Sequence, residues 1–178
     1  MKKDLSLLEK SLGISFRNKQ YLIQALTHRS YLNEHTEFSK HNERLEFLGD
    51  AVLELTVTEH LFKNFTNPEG ELTNWRAALV NSKMLASVAK ELKLGRYLLL
   101  SRGESRDTGK AREYILANTF EALLGAIYLD KGIDEARTFV EKNILARLQN
   151  VLDEKLYQDA KSYFQERSQE KLGDQNLV

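Results

Sequence analysis

Four acidic side chains share one face of a predicted helix, and their spacing is the clearest sign of chemistry in the sequence. When successive residues advance by about 100°, these acids fall within one narrow stripe: Glu43, Glu46, Asp50 and Glu54. Arg44 is the one basic residue inside that stretch, so the acids lack the regular i,i+4 partners of a solvated helix. Such a stripe is typical either of a solvent-facing surface or of a cation site.

A second polar pair lies inside a strongly apolar segment. Asn118 and Glu121 are three residues apart within the run 115–124, and polar groups embedded in such a run need partners. If this helix packs on the first, these two side chains converge with Glu46 and Asp50, and a cation would stabilise the cluster. Oxygen ligands without histidine or cysteine favour Mg²⁺ or Mn²⁺ over zinc.

The elements that carry these side chains are predicted to be helices. The sequence has one proline, and its apolar spacing is helical throughout, which predicts an all-α fold. Gly13 is expected to end a first helix and Asn18 to begin a second. The acidic helix is expected over about 42–64, followed by a turn at 67–70, a helix capped by Thr73 or Asn74 and divided near Ser82, and further helices over 111–129 and 134–152.

Composition limits the class of protein. The chain has 178 residues, 26 basic and 26 acidic side chains, and no cysteine, which fits one ordinary domain without disulfides. A formal net charge of zero excludes strong, indiscriminate attraction to polyanions. Because the longest apolar run, 122–129, is far shorter than the ~20 residues of a membrane span, and no secretory signal is evident, we expect a cytoplasmic protein with no membrane partner.

Three segments resemble the ribonuclease III family and follow that family's order. His41–Leu53 resembles its signature helix, Ala25–Tyr31 the segment ahead of it, and Ile115–Leu123 its second metal-binding helix. The resemblance implies an all-helical endonuclease fold that forms a homodimer through the signature helix. It also implies a catalytic domain over 1–152, followed over 153–178 by a linker and the incomplete first helix of a double-stranded-RNA-binding domain.

The resemblance carries an expected activity. The family cuts double-stranded RNA with Mg²⁺, for which Mn²⁺ can substitute, and leaves 5′-phosphate and 3′-hydroxyl ends with short 3′ overhangs. By the same resemblance we expect a role in the processing of ribosomal and other structured RNA. The chemistry is consistent with the acidic residues, because carboxylate-held metal ions activate water and neutralise phosphate charge.

Roles for individual residues also follow from the resemblance. Asp50 and Glu121 match catalytic positions, Glu43 and Glu69 match supporting acids, and the metal ligands would be Glu46, Asp50, Asn118 and Glu121. Phe47 resembles a knob that enters a pocket of the partner subunit, with simple core packing as the alternative. A basic loop supplies candidate RNA contacts, namely Arg102, Arg106, Lys110 and Arg112.

Asn118 departs from the family pattern, which most often has aspartate there. An amide keeps one oxygen for a hard cation but lacks the negative charge, so we expect weaker metal binding. A working nuclease is the favoured interpretation. The alternatives are a catalytically impaired relative that still binds RNA, and a plain helical interaction domain whose acidic stripe is merely solvated.

Overall fold

The computed structural model describes residues 4–157, and within that range the chain is helical. Its eight α-helices are α1 Leu5–Leu12, α2 Lys19–Ala25, α3 Glu43–Asn64, α4 Glu69–Val80, α5 Ser82–Glu91, α6 Lys110–Lys131, α7 Ile133–Asn143 and α8 Leu148–Asp153. Short 3₁₀ turns cover Arg29–Asn33, Leu94–Arg96, Glu104–Arg106 and Leu145–Arg147. The same range contains no β-strand beyond one parallel bridge, Thr27 to Leu99. The all-α prediction is confirmed.

Helix α6 forms the centre of the fold. It packs against α3 on one side and against α2, α5 and α7 on others. Its side chains are buried around most of its circumference, and Phe120, Leu123 and Ala126 have no exposed surface. A helix that is apolar on all sides has to lie in a core. The packing of its apolar faces therefore fixes the positions of the polar groups that α6 carries.

Local signals explain the first two helices. The Asp4 carboxylate caps α1 by accepting from the Ser6 N–H at 3.0 Å, and Gly13, with φ 74°, ends it in the left-handed conformation that glycine adopts readily. The Asn18 side chain caps α2 by accepting from the Gln20 N–H at 3.0 Å. The expected roles of Gly13 and Asn18 are confirmed.

The start of α4 corrects one prediction. The expected turn at 67–70 instead contains the N-terminus of the helix, which begins at Glu69 directly after Pro68, so neither Thr73 nor Asn74 is the cap. Proline suits this position because its fixed φ is compatible with a helix start and its missing N–H would be unpaired there. Asn81 then separates α4 from α5, close to the division expected at Ser82.

The last expected helix, 134–152, is interrupted. α7 ends at Asn143, and the chain passes through a 3₁₀ turn before α8 begins. The Asn143 carbonyl accepts from the Arg147 side chain, Nε to O 2.9 Å, in place of a continuing helical N–H. The proposed RNA-binding-domain segment from 158 onwards lies outside the described residues. Within 4–157 no helix is long and apolar enough to cross a membrane.

A non-helical crossing fixes the start of α3. The Leu99 N–H donates to the Leu26 carbonyl at 2.8 Å, and the His28 N–H donates to the Leu99 carbonyl at 3.0 Å. Next to this bridge, the Asn42 N–H donates to the Thr27 carbonyl at 2.9 Å. These bonds tie the first turn of α3 to the segment that leads into the basic loop before α6.

Candidate functional site

The packing of α3 on α6 brings the two predicted polar sets together. Asn118 on α6 lies close enough to the Glu46 carboxylate on α3 to lower the pKa of that carboxyl. Glu121, one turn further along α6, lies in the field of Asp50 and Glu46. We call Glu46, Asp50, Asn118 and Glu121 the acidic centre. The structure therefore brings together the four residues that the sequence suggested as metal ligands.

The electrostatics of the acidic centre are those of uncompensated negative charge. Burial, together with the charges of Asp50, Glu46 and Glu54, raises the pKa of Glu121 to about 8. Burial and the charge of Glu43 also raise the pKa of Glu46, although Asn118 opposes this shift. Between residues 4 and 157, no basic side chain forms an ion pair with Glu46, Asp50 or Glu121. The carboxylates thus lack a positive partner from the protein.

The two ends of the acidic stripe are different, because other elements supply them with basic partners. Arg76 of α4 pairs with Glu54, Nε to Oε2 3.0 Å. Glu43 lies 3.6 Å from Arg29 Nη1 and 3.8 Å from His41 Nδ1. Sequence spacing along α3 missed these pairs. In the stripe of four, the central Glu46 and Asp50 therefore have no basic partner among the described residues, whereas Glu43 and Glu54 at its ends each lie beside basic side chains.

The donors at the acidic centre suit a hard divalent cation. All of them are oxygens, and Asp50 is exposed while Glu46 and Glu121 are half-buried, so the group is open to solvent on one side. Across the described part of the chain, no three histidine, cysteine or carboxylate side chains are already gathered tightly enough to form a metal site.

Glu69 lies elsewhere. It is in the first turn of α4, where its carboxylate accepts from the Thr73 hydroxyl at 2.8 Å. Together with Phe62, Phe65 and Arg76 it lines a cavity of about 500 Å³ between α3 and α4. In the described range no contact joins Glu69 to the acidic centre of the same chain.

Phe47 is on the outside of the molecule. Its side chain is 80% exposed, which excludes simple core packing within one chain. It belongs to a row of exposed residues that recur every three or four positions along α3: Phe47, Ala51, Leu55, Thr58 and Phe62. We call this row the α3 stripe. Large exposed aromatic residues in a row are typical of a protein–protein contact.

The basic loop divides into exposed and enclosed cations. Arg102, Arg106 and Lys110 are exposed. The Arg112 side chain is half-buried, and its Nη2 donates to the Gly95 carbonyl at 3.3 Å while Nη1 is buried without a partner. Arg112 thus holds the first turn of α6 in this structure, and it does not present its guanidinium to solvent as the other three cations do.

Comparisons with known proteins agree with this architecture. Residues 18–148 match the protein family described as Ribonuclease-III-like. The chain is 45% identical to Ribonuclease 3 of Clostridium perfringens over 179 aligned residues, covering 99% of this chain and 75% of that protein. It is 48% identical to Ribonuclease 3 of Desulforamulus reducens, covering 94% of this chain and 69% of that protein.

Solved structures give the same result. The nuclease domain of ribonuclease III from Campylobacter jejuni has a TM-score of 0.72 and 45% identity, covering 81% of this chain and 95% of that domain. A second structure of the Campylobacter nuclease domain shows structural flexibility in the region involved in dimer formation. Dicer from Giardia has a TM-score of 0.61 and 26% identity, covering 79% of this chain and 19% of Dicer. Taken with the helical fold and the acidic centre, these matches establish that the chain belongs to the ribonuclease III family of endoribonucleases.

Proposed function

We propose that this protein is a Mg²⁺-dependent endonuclease that cleaves double-stranded RNA at the acidic centre, in the cytoplasm, during processing of ribosomal and other structured RNA. The observation that carries the proposal is Glu121, a half-buried carboxylate surrounded by other acids and paired with no cation of the described chain. Such an arrangement is destabilising unless a ligand supplies positive charge. Perturbed acids of this kind are typical of functional sites.

Mg²⁺ is the cation that the donor set favours, with Mn²⁺ as a substitute. Glu46, Asp50 and Glu121 would hold it through carboxylate oxygens and Asn118 through its amide oxygen. When bound, the metal would activate water and neutralise charge on the phosphate. Hydrolysis adds the water oxygen to phosphorus and breaks the bond to the 3′ oxygen, which gives 5′-phosphate and 3′-hydroxyl ends.

The protein's own groups would prepare this site. Asn118 would favour the ionised form of Glu46, because it lowers the pKa of that carboxyl. Glu121 carries a proton at neutral pH when no metal is bound, because its pKa is raised to about 8. It must lose that proton when a cation arrives, so metal binding and proton release are coupled.

Contacts to RNA would come from the basic loop. Arg102, Arg106 and Lys110 are exposed on the segment that leads directly into α6, the helix that carries Asn118 and Glu121. Duplex RNA is bound through its shape, its phosphates and its 2′-hydroxyls, so cations without base-specific contacts are sufficient. Arg112 would contribute by holding the loop's junction with α6.

The α3 stripe supports a homodimer. Two copies related by a two-fold axis present the same stripe to each other, and antiparallel pairing sets Phe47 of one against the C-terminal half of α3 in the other. Phe47 and Phe62 are separated by about 22 Å along the helix, and the cavity lined by Phe62 and Phe65 lies at that far end. This cavity of about 500 Å³ is large enough for an aromatic ring, and Leu61, Phe65 and Leu72 give it an apolar part.

The dimer proposal has a direct test. Sedimentation equilibrium of Phe47→Asp is expected to give a monomer, because a charge would be buried in the interface. Leu7→Asp is the matched control, since Leu7 is also a large apolar residue on the surface, 58% exposed, but lies on a different helix. A Phe47→Asp chain that remains dimeric would contradict the interface.

The nuclease proposal is tested by incubating the full chain with long duplex RNA at low salt, with and without Mg²⁺. We expect Mg²⁺-dependent fragments with 5′-phosphate ends that are absent with Glu121→Ala.

The catalytically impaired alternative is favoured by one observation, the uncharged Asn118. It predicts RNA binding without cleavage in this chain, and recovery of cleavage in Asn118→Asp. Binding and cleavage that are both independent of Mg²⁺ would contradict both proposals.

A further inference from the structure

The crossing of α3 and α6 at the acidic centre is a reciprocal contact between glycines and carbonyl groups. A Cβ atom added at Gly49 would lie 1.8 Å from the Glu121 carbonyl oxygen. One added at Gly125 would lie 2.2 Å from the Leu45 carbonyl oxygen. Real Cβ atoms do not approach backbone atoms this closely, so neither position can accept a side chain unless the helices separate.

The contact also sets the register of the carboxylates. On α3, the two contact residues are each followed immediately by an acid, Glu46 or Asp50. On α6, Glu121 is itself a contact residue, and Gly125 lies one turn later on the same face. The contacts that fix the distance between the helices therefore also fix where the three carboxylates stand relative to one another.

Gly125 lacks any local reason to be glycine. It lies within α6, whose conformation is helical, and glycine within a helix is less favourable than alanine. Gly70 in α4 shows the ordinary case, because an added Cβ there would meet nothing within 4 Å. What distinguishes Gly125 is the Leu45 carbonyl packed against its Cα, an approach that Cα–H to oxygen contacts can favour.

We propose that Gly125 is a positioning residue for the nuclease reaction, because its contact with the Leu45 carbonyl fixes the separation of α3 and α6 and hence the position of Glu121 relative to Glu46 and Asp50. The inference rests on the acidic centre proposed above as the site of cleavage. It assigns to Gly125 an effect on the chemical step and none on RNA binding, since Gly125 is buried and touches no candidate RNA contact.

The test compares Gly125→Ala with Val140→Ala in the full chain. Val140 is fully buried in α7, so its truncation destabilises the core without changing the α3–α6 contact. Single-turnover cleavage of duplex RNA, RNA binding without Mg²⁺, and the Mg²⁺ concentration for half-maximal rate are measured for each. Gly125→Ala is expected to cleave about 100-fold more slowly, because displacement of a catalytic group by about 1 Å has that effect.

For Gly125→Ala we expect slower cleavage and a higher Mg²⁺ requirement, with unchanged RNA binding. For Val140→Ala we expect cleavage at the wild-type rate, despite its lower Tm. A folded Gly125→Ala chain that cleaves as fast as Val140→Ala would overturn the proposal. If Gly125→Ala is unfolded at the assay temperature, the comparison is made in trimethylamine N-oxide, which favours the compact state.

A crystal structure of the Gly125→Ala chain provides a readout that does not depend on RNA cleavage. The proposal predicts that the Glu121 and Asp50 carboxylates stand further apart than in the wild-type chain, and an unchanged separation would overturn it. Failure of the wild-type chain to cleave RNA is a separate result, which counts against the proposed function.

Discussion

Glu121 and Asp130 are two carboxylates on the same helix, α6, in opposite electrostatic surroundings. Asp130 is buried, and its two oxygens accept from the Arg17 and Asn18 N–H groups, each at 2.7 Å. Burial opposes its ionisation, but these two hydrogen bonds and the positive charges of Lys131 and Arg17 together lower the pKa of Asp130. For Glu121, burial and neighbouring acids act in the same direction and raise the pKa to about 8.

The difference shows which acid serves the fold. Asp130 joins the end of α6 to the start of α2 and satisfies two otherwise unpaired N–H groups. Glu121 joins nothing within the described chain, and its charge is repelled by Asp50 and Glu46. Stability alone would favour an apolar residue at position 121. The contrast therefore separates a structural carboxylate from the one that we propose to be functional, by the partners each has.

The largest expected effect is on cleavage. Glu121→Gln keeps the shape of the side chain but removes its charge, and it is expected to slow cleavage by about 1,000-fold, because a metal site supplies several kcal/mol of charge stabilisation and each 1.36 kcal/mol is tenfold in rate. Asp130→Asn is expected to cleave at the wild-type rate per folded molecule. Single-turnover assays of both variants check this prediction. An equal loss of cleavage rate in the two variants would contradict the distinction between the two acids.

The second expected effect is on stability, and here Asp130→Asn should show the larger loss. Asp130→Asn replaces a charged acceptor of two N–H groups, so the free energy of unfolding should fall by about 2 kcal/mol. Glu121→Gln should leave stability unchanged or raise it, since the half-buried Glu121 must either take up a proton or bear the repulsion of its acidic neighbours, and glutamine does neither. Urea unfolding of both chains without Mg²⁺ makes the comparison. Destabilisation by Glu121→Gln as large as that by Asp130→Asn would mean that Glu121 is also structural.

The pH dependence of stability should carry opposite signs for the two acids. The pKa of Glu121 rises from an ordinary 4.5 to about 8 in the folded chain, so its contribution to stability declines as pH rises from about 4.5 to 8. The pKa of Asp130 is lowered from 3.8, so its contribution is present above that value and is lost as pH falls through its folded pKa.

Tm measured in EDTA from about pH 5 to about pH 8.5, which spans most of the range over which the contribution of Glu121 declines, checks the first of these signs. A decline with pH is expected in the wild-type chain and should be absent in Glu121→Gln. A decline of the same size in both chains would assign it to another group.

The smallest expected effect is at Asn118. Asn118→Asp adds a negative charge beside Glu46 and should lower the Mg²⁺ concentration for half-maximal cleavage by about tenfold, since one more unit charge lies close to the cation. Asn143→Asp, on α7, is the control, because its amide bonds only to the Phe139 carbonyl. An unchanged requirement in Asn118→Asp would argue that this position is not a ligand.

The sequence predicted the parts of the site that follow from local patterns. Polar residues inside apolar helical runs, such as Glu46, Asp50 and Glu121, predict a shared polar site on the condition that α3 packs on α6, because an isolated polar group in a core needs a partner. The ends of the stripe were not predictable, since Arg76 and Glu54 are far apart in sequence and belong to different helices. Spacing along one helix carries no information about such pairs.

The same limit applied to the fold. Gly13 and Asn18 were predicted because a cap depends on one residue and its immediate neighbours. The segment around Pro68 and Gly70 was misassigned because these residues are equally compatible with a turn and with a helix start, and the packing of α4 on α3 decides between the two. The sequence predicts Arg112 as one of four basic RNA contacts, and only the structure shows its bond to the Gly95 carbonyl.

Calorimetric titration of Mg²⁺ into the metal-free chain at pH 7, repeated in buffers of different ionisation enthalpy, tests the central claim most directly. Because the pKa of Glu121 is about 8 without metal, binding should release close to one proton per Mg²⁺, and Glu121→Gln should abolish that release. Mg²⁺ that binds the wild-type chain without releasing a proton, or binds Glu121→Gln equally well, would contradict the assignment of Glu121 as the acid that holds the catalytic cation.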